Sequence, residues 1–119
     1  MTVVNHNQRV LKALRDAGYV AEVVERWDSF SRRRHDLFGF IDILAVGHGE
    51  TKAIQVTSRD NMSSRRTKMQ NSEELKALIA ANWSVELWGY DKQPNGRYRR
   101  KVEFVLPRLE VVDVTPINA

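Results

Sequence analysis

The chain has 119 residues, no cysteine, a formal net charge of +4 and a pI near 9.7. That length suits one domain with a core of its own, and the lack of cysteine excludes disulfides and thiolate metal centres. Polar residues follow Met1 and no apolar run nears the ~20 residues of a membrane span, so no membrane association and a cytoplasmic, reducing location are expected.

The spacing of Val10, Leu11 and Leu14 predicts a helix over Val3 to Ala17, stopped by Gly18. Tyr19 to Trp27 is rich in β-branched and aromatic residues and reads as a strand, followed by a polar, arginine-rich loop from Asp28 to Leu37. Phe40 to Val46 is a short apolar run holding one acid, Asp42. Gly47-His48-Gly49-Glu50 is a turn signal, and Lys52 to Thr57 is a second strand, so the two runs form a hairpin. A polar helix is expected over Asn61 to Gln70. A second follows, with Asn71 and Glu74 as a capping box and Leu75, Leu78 and Ile79 as its buried stripe. Ser84 to Tyr90 reads as a strand and Pro94-Asn95-Gly96 as a turn. Arg97 to Leu106 alternates with Tyr98, Arg100, Val102, Phe104 and Leu106 on one face, and Pro107 ends it. Residues 1–107 are taken as one domain. Residues 108–119, with Val111, Val112 and Val114, are a tail suited to an edge strand or an arm.

Three basic clusters stand out: Arg32, Arg33 and Arg34; Arg65, Arg66 and Lys68; and Arg97, Arg99, Arg100 and Lys101. Such clusters either cover a solvated face or track a phosphate backbone, and three in one small basic chain favour a polyanionic partner. Asp42 is costly inside an apolar strand unless it turns out at the sheet end or is paired, hydrogen-bonded or metal-bound. Gln55 and Thr57 lie two residues apart on the other arm of the hairpin and share a face, which also carries Asp42 if the arms are in register. Acid, amide oxygen and hydroxyl together suit a hard divalent cation, and equally suit a half-exposed strand. Lys52 points to the opposite face, Arg59 shares the parity of Gln55, and Lys68 could reach in from the following helix. Asp36, near the start of the Asp42 strand, is a candidate second acid. His6, His35 and His48 are too scattered to read as one metal set. Trp88 and Tyr90 read as strand packing, with base stacking the other option.

Phe40-Ile-Asp-Ile-Leu-Ala, the glycine turn and Ala53-Ile-Gln-Val-Thr-Ser resemble the core of the PD-(D/E)XK nuclease superfamily. The resemblance is to small single-domain members of the Holliday-junction-resolvase-like and VRR-NUC-like kind, phage proteins among them. It covers roughly Asn5 to Tyr90, and the helix ending Ala13-Leu14-Arg15-Asp16-Ala17-Gly18-Tyr19 is similar to their first helix. The resemblance implies an α/β restriction-endonuclease-like fold, an αβββαβ core with a mixed sheet flanked by helices. It implies a metal-dependent DNA endonuclease or junction-resolvase-like phosphodiester hydrolase, with Mg2+ or Mn2+ on Asp42 and Gln55, DNA as partner, and a homodimer for symmetric junction cutting. Asp42 matches the family's first acid, and Gln55 falls where the second acid usually stands. Thr57 falls where the lysine stands, and Asn7 or Gln8 where a helix-borne glutamate is found. The catalytic set expected on this basis is Asp42, Gln55, Thr57 and Lys68, with Arg32, Arg33, Arg34, Arg59, Arg65 and Arg66 on nucleic acid. The altered lysine position leaves open a second reading, a catalytically inactive fold that binds nucleic acid or a protein.

Overall fold

The computed structural model describes residues 5–108, so all but the first residue of the expected tail 108–119 lies outside what is described. In chain order the elements are α1 (Asn7–Asp16), β1 (Val20–Val23), β2 (Arg26–Asp28), β3 (Arg33–His35), β4 (Ile43–Gly47), β5 (Glu50–Ser58), α2 (Met62–Gln70), α3 (Glu73–Ala80), β6 (Ser84–Lys92) and β7 (Tyr98–Phe104), with a single 3-10 turn at Arg59–Asn61. Five strands form one sheet in the order β1-β4-β5-β6-β7, and β2 pairs with β3 in a separate two-stranded ribbon. Every pairing in the main sheet is antiparallel except β5 with β6, which is parallel. This is a mixed α/β fold, with helices on both faces of a mixed sheet. The helix, three strands, helices and strand expected from the sequence follow one another in the sheet in that order.

The β4–β5 hairpin turns at His48 (φ 52°) and Gly49 (φ 76°), with Gly47 opposite Glu50. Two successive positive φ values give the turn whose twist matches that of paired strands. The register sets Ile43 against Ile54 and Ala45 against Lys52, and period-two alternation then assigns each residue to a face. On one face Val10, Leu11 and Leu14 of α1 bury against Ala21, Ile43, Ala45, Ile54, Trp88 and Tyr90. On the other, Met62 and Met69 of α2 and Leu75 and Leu78 of α3 bury against Ala53, Val85 and Leu87. Each such aliphatic side chain contributes roughly 1.5–3 kcal/mol on burial. A Cβ at Gly89 would run into the Met62 side chain, so the glycine lets the start of α2 sit directly on β6.

Three sequence expectations change. The strand expected over Tyr19 to Trp27 breaks after Val23, and its last residues pair with the expected loop to form the ribbon, with Arg26 opposite His35, Trp27 opposite Arg34 and Asp28 opposite Arg33. Asp28 makes this possible: its Oδ1 accepts from the backbone N–H of Phe30 (2.9 Å) and Ser31 (3.4 Å), and Arg32 (φ 55°) completes the reversal. The α3 cap is Ser72 rather than Asn71, and its hydroxyl donates to Glu74 Oε2 (2.7 Å) instead of closing a capping box; Asn71 ends α2. The alternating strand expected over Arg97 to Leu106 is the shorter edge strand β7, Tyr98–Phe104, and Val102, Phe104 and, beyond its end, Leu106 are exposed. No helix among the described residues is long and apolar enough to cross a membrane.

Candidate active site

Asp42 stands immediately before β4 rather than inside it. The segment ahead reverses at Phe38 (φ 53°) and Gly39 (φ 82°) and is closed by the Leu37–Ile41 bridge. This turn drives Phe40 and Ile41 into the core and folds Asp36 back toward Asp42. The Asp42 backbone is pinned on both sides: its N–H donates to the Ile54 carbonyl (2.9 Å), and its carbonyl accepts from Val24 (2.8 Å). Its side chain is 6% exposed, and Oδ2 accepts from Gln55 Nε2 and from the Val56 backbone N–H, both at 2.8 Å. Asp42 and Gln55 therefore converge as the hairpin parity requires, and Thr57, also buried, lines the same cleft.

Carboxylate oxygens of Glu25, Asp36 and Asp42 lie within 4.8 Å of one another. Glu25 sits between β1 and β2, and Asp36 directly follows β3, so the acids flank the ribbon on either side of its base. Glu25 Oε1 accepts from Asn7 Nδ2 (3.3 Å) at the start of α1 and from Arg34 Nη1 (3.2 Å). Burial raises the Asp42 pKa to about 7, against the Val56 hydrogen bond that lowers it, with the negative charges of Asp36 and Glu25 adding to the rise. Two more atoms of the cleft lining are buried without a hydrogen-bond partner, His6 Nδ1 and, beside Asp42, the acceptor Gln55 Oε1. A buried acceptor without a donor is unfavourable, and so are three carboxylates held this close. A divalent cation taking oxygen ligands relieves both at once. The donor set Glu25, Asp36, Asp42 and Gln55 Oε1 thus fits magnesium or manganese.

These groups open onto a cleft of about 940 Å3. Its lining also carries Arg34, Arg59, Arg65 and Lys92. Arg34 is spent partly on Glu25, and Arg59 lies 3.7 Å from Asp91. Arg65 and Lys92 make no ion pair among the described residues and are free to meet a phosphate. The other cations expected here stand elsewhere. Lys68 is exposed on α2, outside the cleft lining. Arg66 is held by Glu103 of β7 through two bonds of 2.7 and 2.8 Å. Arg32 and Arg33 are exposed on the ribbon and do not line the cleft. Lys52, expected on the opposite face, is there and is committed to Glu86 (2.7 Å).

The histidines do not meet. His6 lines the cleft and stacks on Tyr90, with ring centroids 5.0 Å apart. His35 lies 3.6 Å from Asp28 on the ribbon, and His48 bonds the Ala17 carbonyl at the far end of the hairpin. Trp88 and Tyr90 are both buried in strand packing. Glu25 was not singled out in the sequence, because in an unbroken strand it reads as one polar residue among several; the paired valines Val23-Val24, which interrupt the alternation just before it, are the signal that the strand breaks there.

No family model matches the chain, and no curated protein matches it. Among solved structures, a Holliday junction resolvase from the archaeal hyperthermophile Archaeoglobus fulgidus matches with 18% identity and a TM-score of 0.46, over 87% of this chain and 75% of that one.

Proposed function

We propose that the protein is a divalent-metal-dependent nuclease that hydrolyses phosphodiester bonds in DNA. The observation that supports this best is the convergence of Glu25, Asp36 and Asp42 with the unpaired Gln55 oxygen on a cleft that also presents Arg65 and Lys92. Magnesium or manganese bound there supplies an activated water and neutralises phosphate charge. Asp42 is the centre of the set, fixed by the hairpin and by its bond from Gln55. The resemblance would place an acid on the first helix; here Asn7 occupies that place and holds Glu25 instead, so the charge comes from a different element. Asp36 adds the second carboxylate that Gln55 does not supply. Arg59, Arg65 and Lys92 hold the phosphate backbone, and Thr57 occupies the lysine position without its charge, so the cations of the cleft wall take over that electrostatic task.

One observation favours a second reading, a nucleic-acid-binding module without catalysis: Lys52, the lysine on the same strand as Gln55, does not join the acids but is paired with Glu86 on the opposite face. Both readings are tested by incubating branched, single-stranded and duplex DNA with the protein in magnesium or manganese, and repeating with Asp42→Ala. Cleavage that falls at least ~10²-fold in the variant is expected. Cleavage undiminished in the variant overturns the nuclease reading, and salt-dependent binding with no cleavage by either protein replaces it with the binding module.

A further inference from the structure

The β2–β3 ribbon carries the most exposed aromatic side chain among the large exposed hydrophobics: Phe30, at its tip, is 99% exposed, and Trp27 on β2 is 61% exposed. A bare phenylalanine at a loop tip gains nothing for folding. The tip is nevertheless built with care, since Asp28 accepts from the Phe30 and Ser31 N–H groups and holds the turn in one shape. Between residues 26 and 34 the ribbon has four arginines (Arg26, Arg32, Arg33 and Arg34) against one acid, Asp28. The ribbon is also rooted at both ends in the acid cluster, with Glu25 before β2 and Asp36 after β3. A second cleft, of about 460 Å3, shares Glu25 and Arg34 with the first and is lined by Trp27 and Arg26, so the two form a path from the acids onto the ribbon.

We propose that the ribbon is a DNA-reading arm whose Phe30 stacks on an unpaired or partly unstacked base while its arginines hold the flanking phosphates. This deepens the nuclease reading and rests on it for the class of ligand. The chemistry favours nucleic acid over protein, because arginines around an exposed ring combine phosphate contacts with base stacking, and apolar side chains inserted at a base step are a known way to exploit weak stacking. The geometry adds a ruler. The turn that carries Phe30 begins after the three strand residues Arg26–Asp28, which at ~3.3 Å per residue set it roughly 10 Å beyond Glu25 along the ribbon. At ~3.4 Å per nucleotide that is about three base steps between the acids and the base engaged by the tip. The preferred substrate is therefore DNA with a branch point, bubble or fork about that distance from the bond held at Asp42, rather than uninterrupted duplex.

The test uses the full chain and two DNAs, a fork with 2-aminopurine at its unpaired position and a continuous duplex of the same length. Because Phe30 is almost wholly exposed, Phe30→Ala leaves the fold intact, which circular dichroism verifies. The expected result is a roughly 10-fold loss of fork affinity in Phe30→Ala, a duplex affinity within about 2-fold of the original, and loss of the 2-aminopurine quenching seen with the unaltered protein. Phe30→Trp should restore both. Equal fork affinity and equal quenching in Phe30→Ala overturn the proposal, as does a fall in light-scattering mass with DNA binding unchanged, which would make the tip a contact between copies of the chain. The outcome is separable from the cleavage reading: Asp42→Asn should keep the Phe30-dependent quenching even though it does not cut. Phe30-dependent quenching in a protein that never cuts supports the arm and removes the nuclease assignment alone. Absence of binding to either DNA at low salt overturns both.

Discussion

Glu86 and Asp42 are buried carboxylates of the same sheet, 2% and 6% exposed, one on each face. Glu86 is fully answered by its own chain: Lys52 Nζ lies 2.7 Å from Oε2, Ser84 donates to the same oxygen at 3.2 Å, and Trp88 Nε1 donates to Oε1 at 3.1 Å. Asp42 receives only neutral donors, Gln55 and Val56, and has two further acids beside it. The first arrangement closes on itself and stabilises the fold. The second has its charge left open on a cleft, which a structural carboxylate has no reason to do. Buried charge with an internal counter-ion marks architecture, and buried charge without one marks a place for something that arrives from outside.

Removing each acid should therefore have opposite effects. Glu86→Ala strands the half-buried Lys52 ammonium, with Glu50 at 3.4 Å as its remaining partner. The expected cost is about 3–5 kcal/mol in urea unfolding, with cleavage per folded molecule unchanged. Asp42→Asn should stabilise the metal-free protein. Its folded-state pKa, about 7, lies above the ordinary carboxylate value of 3.8, so the folded chain binds that proton more tightly than the unfolded chain. The stability associated with it is complete below pH 3.8 and is lost as pH rises through 7. At pH 8 the asparagine variant should be more stable by on the order of 4 kcal/mol and should show a flatter pH profile between pH ~4 and ~7. Adding Mg2+ or Mn2+ should do for the unaltered protein what the substitution does without metal, raising stability by about 2.7 kcal/mol at 100 times the dissociation constant, while leaving Asp42→Asn unmoved. A Glu86 variant that is harmless, or an Asp42→Asn variant that is destabilised at pH 8, would remove the contrast.

The smallest effects separate two neighbouring arginines of α2. Arg66→Ala should cost about 1 kcal/mol of stability, because its two bonds to Glu103 tie α2 to β7 at a partly exposed site, and it should leave DNA affinity nearly unchanged. Arg65→Ala should do the reverse: stability unchanged and DNA binding weaker by a few-fold, with a salt dependence reduced by about one phosphate contact. Thermal melts and filter binding at two salt concentrations distinguish them.

Much of the sheet was legible because alternation and turn chemistry agree along the β4–β5 hairpin, and parity alone brought Asp42, Gln55 and Thr57 to one face. The ribbon was not legible. Its strands are three residues long and arginine-rich, so no hydrophobic period marks them, and what holds them is the local Asp28 turn. The acids Glu25 and Asp36 come together only because that ribbon exists; Asp36 could be suspected from its nearness to Asp42 in sequence, whereas Glu25 was hidden. Lys68 and Arg66 have the right charge on the right helix, but the choice among Arg65, Arg66 and Lys68 is one of helical phase, which the apolar pattern of so polar a helix does not fix.

The parallel pairing of β5 with β6 carries a kinetic consequence. The hairpin closes across a two-residue turn and brings together Asp42 and Gln55, only 13 positions apart in the chain. Lys52 meets Ser84, and Ser58 meets Tyr90, only after the whole α2–α3 crossover has been looped out, and that closure entropy is spent before any strand contact returns it. The acidic half of the cleft is thus expected to nucleate early and locally, and the wall contributed by Asp91 and Lys92 to arrive with the slow step of folding. A chain caught partway would hold its carboxylates together before it had finished the surface on which a polyanion could rest.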